Sequence, residues 1–240
     1  MAGRVRVGAG DAARTDRKPG DLIDDATQLT VVEPEPYVSR GGYKLAAALD
    51  AFAIDPTDRI CIDTGASTGG FTDVLLQRGA RRVYAVDVGR GQLAERLKHD
   101  ARVVSMERTN ARHLTPSSLP EAVDLAVIDV SFISLALVLG PVASCFGSTG
   151  GDVVALVKPQ FEAGRSQVKD GVVRDPGIHL EVLRKVVAHA RDVGLRPVGV
   201  IPSPITGPEG NREFLLYLVI GARTAAPDLP DDRLTEVVAS

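Results

Sequence analysis

Two lysines and two acidic residues of this 240-residue sequence could carry out proton transfer together: Lys44, Asp129, Lys158 and Glu213. A second cation near a lysine favours the neutral form of the amine, while carboxylates position it. A neutral lysine could accept a proton from an alcohol as the alcohol oxygen attacks an electrophilic methyl group. Taken by itself, Lys44 would by default be a solvated residue on a helix surface. A lysine that closes a buried strand is unusual, so we interpret Lys158 as functional.

A second candidate site begins where the apolar run 60–62 meets Asp63 and the glycine-rich turn 65–70. Glycines let the backbone approach a ligand closely, and the helix that follows offers unpaired N–H groups. The carboxylate of Asp63 would repel phosphate but can accept a hydrogen bond from an ammonium or hydroxyl group. This favours a zwitterionic nucleoside over a dinucleotide. The glycine spacing alone also fits a tight turn without a ligand.

Asp87 lies 24 positions after Asp63, at the end of the next predicted strand. That separation is typical of the carboxylate that binds the ribose diol in α/β nucleotide sites. Asn110 could bind an adenine edge, although asparagine in a loop is more often a turn former. The predicted cofactor-binding residues are Asp63, Gly65, Ser67, Thr68, Gly69, Gly70, Phe71, Asp87, Val88, Asn110 and Asp129.

Seven apolar runs predict the strands that position these side chains: 60–63, 82–87, 102–105, 123–129, 152–158, 197–201 and 214–220. Helices are expected at 43–53, after Phe71, through Leu97, after Ser134 and from Pro176 to Gly194. The alternation predicts an α/β fold with a seven-stranded, mostly parallel sheet. The last two runs have no helix between them, which indicates an antiparallel strand at the sheet edge. The long connection 159–174 could act as a lid or substrate clamp.

Composition limits the function classes. The net charge of −3 gives no global case for nucleic-acid binding, so any RNA site must be a local patch. Residues 1–20 offer one, with Arg4, Arg6, Arg14, Arg17 and Lys18 against Asp11 and Asp16. We see no secretory signal or membrane span, and we expect a soluble, cytoplasmic protein. Cys61 and Cys145 are expected to be packing residues, and no metal site is indicated.

Six segments together resemble the TlyA family of ribosomal RNA ribose methyltransferases, which have an FtsJ-like domain and whose members also carry the name hemolysin. The segments are 39–45, 63–72, 107–112, 129–134, 156–162 and 207–213. The resemblance implies a Rossmann-like class I methyltransferase fold with S-adenosylmethionine as the methyl donor. It implies ribosomal RNA, alone or in ribosomal subunits, as partner, and a ribose 2′-hydroxyl as acceptor. It also implies a catalytic tetrad of Lys44, Asp129, Lys158 and Glu213, with Lys158 as the base.

The resemblance also suggests the domain organisation. Residues 1–32 are similar to only the second half of an S4-type RNA-binding module and are predicted to form a small β element. Residues 33–36 are a predicted linker, 37–221 the methyltransferase domain, and 222–240 a polar, loosely held C-terminal tail.

Two alternative functions stay open on the sequence alone. The acidic pI and the incomplete RNA-binding module would also fit a small-molecule O-methyltransferase. A membrane-lytic activity fits less well, because there is no long basic amphipathic helix. The sequence does not decide between a monomer and a homodimer.

Overall fold

The computed structural model describes residues 5–8, 22–31, 35–221 and 227–240. The chain forms two compact units, Met1–Pro36 and Tyr37–Ser240. In the first unit, strand β1 (Val5–Val7) pairs antiparallel with β2 (Leu29–Val31). The basic residues Arg4, Arg14, Arg17 and Lys18 lie outside the described residues.

The second unit contains one seven-stranded sheet. Its strands are β3 (Ile60–Thr64), β4 (Arg82–Val86), β5 (Val103–Met106), β6 (Leu125–Ile128), β7 (Gly151–Val157), β8 (Arg196–Pro202) and β9 (Phe214–Ile220). The spatial order is β5-β4-β3-β6-β7-β9-β8. Strand β9 pairs antiparallel with both β7 and β8, whereas the other pairings are parallel. The predicted α/β fold with a mostly parallel sheet and an antiparallel edge pair is confirmed, and the reversed strand β9 lies between β7 and β8.

Helices cover both faces of this sheet. They are α1 (Gly41–Ala51), α2 (Gly70–Gln77), α3 (Glu95–Lys98), α4 (Leu139–Ala143), α5 (Pro159–Glu162), α6 (Pro176–Asp192) and α7 (Asp231–Ala239). Helix α6 begins at Pro176 as predicted, and the Asp175 carboxylate caps it by accepting a hydrogen bond from the Gly177 N–H.

The core has two parts, one on each side of the sheet. Successive strand residues alternate between them, so that Ile62 packs in the part built with α4, α6 and α7, and Cys61 in the part built with α1 and α2. Burial on both faces explains why β6 and β7 are nearly all apolar. Cys61 and Cys145 are both buried and unpaired, as expected for packing residues, and burial raises the pKa of Cys61 to about 12.

The end of the described chain differs from the prediction. Residues 227–240 were expected to belong to a loosely held polar tail, but they include α7, whose Leu234, Val237 and Val238 are buried. The guanidinium of Arg184 on α6 also pairs with the Asp231 carboxylate. The prediction was wrong because three apolar side chains at helical spacing, placed among charged residues, are enough to pack a short helix.

The connection 159–174, which could act as a lid or substrate clamp, is partly helical. It contains α5 and a 3₁₀ turn at Arg165–Gln167. In the part of the chain that the structure describes, no helix is both long and apolar enough to cross a membrane.

Candidate active site

Lys44 comes to the sheet edge on the first turns of α1, which packs closely against the start of α2. A Cβ atom at Gly70 would lie 3.0 Å from the Gly42 backbone nitrogen of α1 and 2.3 Å from the Ser39 hydroxyl oxygen, so this close contact favours glycine. Lys44 is only 7% exposed, and its amine lies 2.5 Å from the Glu213 carboxylate. Lys44 is therefore a buried member of an ion pair and not a solvated surface residue.

A second ion pair lies at the ends of β6 and β7. The amine of Lys158 is 2.6 Å from the Asp129 carboxylate. The same amine donates a hydrogen bond of 2.8 Å to the Ser131 hydroxyl. Because β6 and β7 are adjacent and parallel, their carboxyl ends bring these side chains together.

Both ion pairs line one cavity of about 260 Å³. The predicted cluster of Lys44, Asp129, Lys158 and Glu213 thus meets in one place. The opening also carries Arg40, an exposed side chain whose guanidinium is 3.5 Å from the Thr206 carbonyl oxygen. The cavity can accommodate a polar group among two lysine amines and two carboxyl groups.

A second cavity of about 440 Å³ adjoins the first. The two share Gly65, Ser67, Asp129 and Ser131 in their walls. The predicted donor residues Asp87, Val88 and Asn110 line the larger cavity, whereas Thr68, Gly70 and Phe71 line the smaller one. A molecule that extends from one cavity into the other would bring its middle part to the shared wall.

Asp87 lies in the larger cavity as expected. Its carboxylate accepts hydrogen bonds from the Ser67 N–H at 2.8 Å and the Gly89 N–H at 2.7 Å. Asn110 lines the same cavity, and its side-chain oxygen also accepts a hydrogen bond from the Arg112 N–H. Asn110 is therefore both a turn former and a wall residue.

Asp63 and Gly69 were predicted to bind the donor directly, but neither lines the two cavities. Asp63 is fully buried and accepts hydrogen bonds from the Thr72 N–H and hydroxyl, which fixes the first turn of α2. Burial raises the pKa of Asp63 to about 7, and the nearby Asp129 and Asp87 charges add to the shift. Gly69 packs against Leu97 at the start of α2. Both residues therefore fix the shape of the glycine-rich turn without lining a cavity.

Gly65 explains how the turn approaches the end of β6. Its φ angle is +86°, and a Cβ atom there would lie 2.5 Å from the Asp129 carbonyl oxygen. Glycine is therefore required on two grounds, backbone conformation and space. The glycine-rich turn and the Asp129 turn are packed backbone against backbone.

Two residues of this region, Phe132 and Glu162, were not predicted from the sequence to have a role. Phe132 is 86% exposed on the wall of the larger cavity, and its ring centroid lies 5.0 Å from that of Phe161. Glu162 is 5% exposed and binds the loop that carries Phe132. Phe132 could have been noticed as an aromatic residue in a strand-end loop, but no pattern in the sequence indicates that Glu162 is buried.

Asn211 lies in the segment 207–213, and no role was predicted for it from the sequence. Its side chain accepts a hydrogen bond from the Val173 N–H and donates one to the Gly171 carbonyl oxygen. It is 1% exposed and lies two positions before Glu213. Asn211 therefore fastens the end of the 159–174 connection beside the Lys44–Glu213 pair.

The chain is similar to known proteins in sequence and in fold. Residues 37–219 match the family of FtsJ-like methyltransferases. The chain is 51% identical over 220 residues to the 16S/23S rRNA (cytidine-2′-O)-methyltransferase TlyA of Mycobacterium tuberculosis, which covers 90% of this chain and 80% of the relative. It is 40% identical over 200 residues to hemolysin A of Brachyspira hyodysenteriae, covering 82% of this chain and 83% of the relative.

A solved structure of a hemolysin-named protein from Streptococcus thermophilus superposes with a TM-score of 0.82 at 50% identity. The superposition covers 100% of this chain and 86% of that chain.

Proposed function

This chain belongs to the TlyA family of FtsJ-like methyltransferases, and from that membership we propose that it transfers a methyl group from S-adenosylmethionine to the 2′-hydroxyl of a cytidine in ribosomal RNA. The observation that carries the proposal is the arrangement of two cavities with a shared wall, one lined by Lys44, Asp129, Lys158 and Glu213 and the other by Asp87.

The larger cavity fits the nucleoside part of the donor. The Asp87 carboxylate can accept hydrogen bonds from a ribose diol, while Val130 and Ile133 supply apolar walls for the adenine ring. Ser67 and Asp129 stand where the two cavities meet and would hold the methionine part of the donor. When bound, S-adenosylmethionine supplies an electrophilic methyl group carried on a sulfonium.

Lys158 is the proposed proton acceptor. In its unprotonated form the amine of Lys158 would take the proton of the ribose hydroxyl as that oxygen bonds to the methyl carbon, which the sulfonium would release by becoming a neutral thioether. Asp129 and Ser131 hold the amine of Lys158 from two sides. The Lys44–Glu213 pair borders the same cavity and orients the acceptor hydroxyl.

Two kinds of surface group near the cavities suit RNA. Arg40 and Arg112 are exposed at the two cavities and can contact phosphates. Phe132 presents an aromatic face on which an unstacked base can be held. We assign Phe132 to the base of the acceptor nucleotide.

The test is methyl transfer from radiolabelled S-adenosylmethionine to purified ribosomal subunits and intact ribosomes from a strain that lacks the activity. We expect label in RNA that stays in an alkali-resistant dinucleotide, since a 2′-O-methyl group blocks cleavage of the next phosphodiester bond. Lys158→Met should lower transfer by at least about 100-fold while calorimetry shows unchanged donor binding. Lys98→Met, which removes a surface lysine paired with Glu95, is the matched control and should transfer at the wild-type rate.

Two results would contradict the proposal. One is donor binding without label in any ribosomal RNA. The other is label in small molecules of a cell extract but not in RNA, which would favour the small-molecule O-methyltransferase.

A further inference from the structure

The segment 130–135, called here the Phe132 loop, holds its aromatic residue in an unusual backbone conformation. Phe132 has a φ angle of +64°, in the left-handed region that bulky side chains rarely adopt. Such a conformation persists only where neighbouring contacts enforce it, and it is often found at functional sites. The ring is nevertheless 86% exposed, so burial of Phe132 itself does not enforce it.

The contacts that fix the Phe132 loop lie on both sides of the aromatic residue. Before it, the Ser131 hydroxyl accepts a hydrogen bond from the Lys158 amine at 2.8 Å. After it, the Ser134 hydroxyl donates a hydrogen bond of 2.6 Å to one oxygen of the Glu162 carboxylate. The Leu135 N–H donates a hydrogen bond of 2.6 Å to the other oxygen. The loop is therefore held at two points with Phe132 between them.

Both holding groups come from one short piece of chain. Lys158 directly follows β7 and caps α5, and Glu162 ends α5 four positions later. Phe161 of the same helix contacts the Phe132 ring, with centroids 5.0 Å apart. The Lys185 amine of α6 donates a hydrogen bond of 3.2 Å to the Glu162 carbonyl oxygen and so holds the end of α5 against α6. Segment 158–162, which carries the proposed base Lys158, thus also sets the position of the exposed Phe132 ring.

We propose that Glu162 is a positioning residue for RNA: through Ser134 and Leu135 it holds the Phe132 loop so that the Phe132 ring stands ready beside Lys158 to receive the acceptor base. This inference rests on the proposed function. Glu162 is buried and bonded on both oxygens, so it acts through the loop and touches neither donor nor RNA.

The first test is a double-mutant cycle of Glu162→Ala and Phe132→Ala, read as kcat and KM for ribosomal subunits and as donor affinity. Each single variant should lower kcat/KM by about 10-fold, mostly through KM, and the double variant should lose no more than either one. Because Phe132 also lines the larger cavity, the increase in KM for ribosomal subunits should exceed any loss of donor affinity in each variant. Glu162→Gln keeps an acceptor for the Leu135 N–H and a partner for Ser134, and should restore most of the activity. Glu181→Ala, which removes an exposed carboxylate on α6, is the matched control.

The second test does not need methyl transfer. The protein contains no tryptophan, so Phe132→Trp places a single fluorescent reporter in the loop. Time-resolved anisotropy should show a larger amplitude of fast local motion when Glu162→Ala is added, and no such increase with Glu162→Gln.

The outcomes separate the two proposals. A wild-type enzyme that methylates no ribosomal RNA would overturn the proposed function, while the tryptophan reporter would still decide whether Glu162 orders the loop. Additive losses in the cycle, or unchanged motion of the reporter, would overturn the role of Glu162. A lower melting temperature with unchanged kcat/KM would identify Glu162 as a structural residue only.

Discussion

The amine of Lys44 and the carboxylate of Glu213 lie 2.5 Å apart although 169 positions separate them in the chain. Their side chains are 9% and 1% exposed. A buried ion pair contributes little net stability, because desolvation offsets the attraction, but removal of one partner leaves an uncompensated charge. The pair therefore joins α1 to the start of β9. Removal of only one of its two charges should lower the free energy of unfolding.

We expect Glu213→Gln to lower the free energy of unfolding by about 3 kcal/mol, because Lys44 would remain buried without its counter-charge. The double variant Lys44→Met with Glu213→Gln should regain more than half of that loss while methyl transfer stays low. Denaturant unfolding at pH 7.5 and the transfer assay would measure the two effects separately. Asp231→Asn, which breaks the exposed pair with Arg184, is the control and should leave the free energy of unfolding nearly unchanged. Equal losses in both charge-removal variants would show that burial of the pair does not matter.

Asp87 offers a direct test of the donor cavity. Asp87→Ala removes the acceptor for the Ser67 and Gly89 N–H groups and for a ribose diol, and we expect donor affinity to fall by about 100-fold. Asp87→Asn keeps one side-chain oxygen and should lose about 10-fold. Isothermal titration with S-adenosylmethionine checks both values. Donor affinity within 2-fold of wild type in Asp87→Ala would remove Asp87 from the donor site.

The sequence predicts the role of a residue in this molecule where that role follows from the residue's position in a strand or helix. Parallel strands are recognisable as apolar runs, and their carboxyl ends share one edge, so Asp129 and Lys158 could be placed together without coordinates. Lys44 was ambiguous until its partner was known, because no local pattern reveals a contact across 169 positions.

Side-chain direction and burial are what the sequence could not supply. Asp63 was placed correctly at the end of β3, but its carboxylate points to Thr72 and not into a cavity. Phe132 and Glu162 depend on a left-handed φ angle and on a buried carboxylate, and neither leaves a periodic signal. Helix α7 was missed because its apolar stripe has only three side chains.

Gly65→Ala tests the close packing of the glycine-rich turn against Asp129. The new methyl group would lie 2.5 Å from the Asp129 carbonyl oxygen, so the turn that carries Asp129 must move. We expect both donor affinity and methyl transfer to fall by at least about 10-fold, since Gly65 borders both cavities. Gly91→Ala is a matched control: its φ angle is also positive, at +68°, but no heavy atom lies within 4 Å of the added carbon. If the two variants behave alike, backbone strain and not the clash is responsible.

The pKa of Asp63 gives a prediction for stability against pH. Burial raises this pKa from 3.8 to about 7, so between these values the folded protein keeps a proton that the unfolded chain has released. The stabilising contribution of Asp63 is therefore complete below pH 3.8 and is lost as the pH rises through 7. Asp63→Asn has no such dependence and can still accept the Thr72 hydrogen bonds.

The free energy of unfolding of Asp63→Asn, minus that of the wild type, should therefore increase by about 1.4 kcal/mol per pH unit between pH 5 and pH 7, and level off above pH 7. Urea unfolding at pH 5, 6, 7 and 8 gives this difference directly. The slope should persist in about 0.5 M salt, because burial is the main cause of the shift and salt screens buried groups weakly. A difference that is flat from pH 5 to pH 8 would mean that Asp63 is already ionised in the folded protein. The carboxylate behind the glycine-rich turn would then be a fixed negative charge, available to attract the ammonium of the donor from a distance.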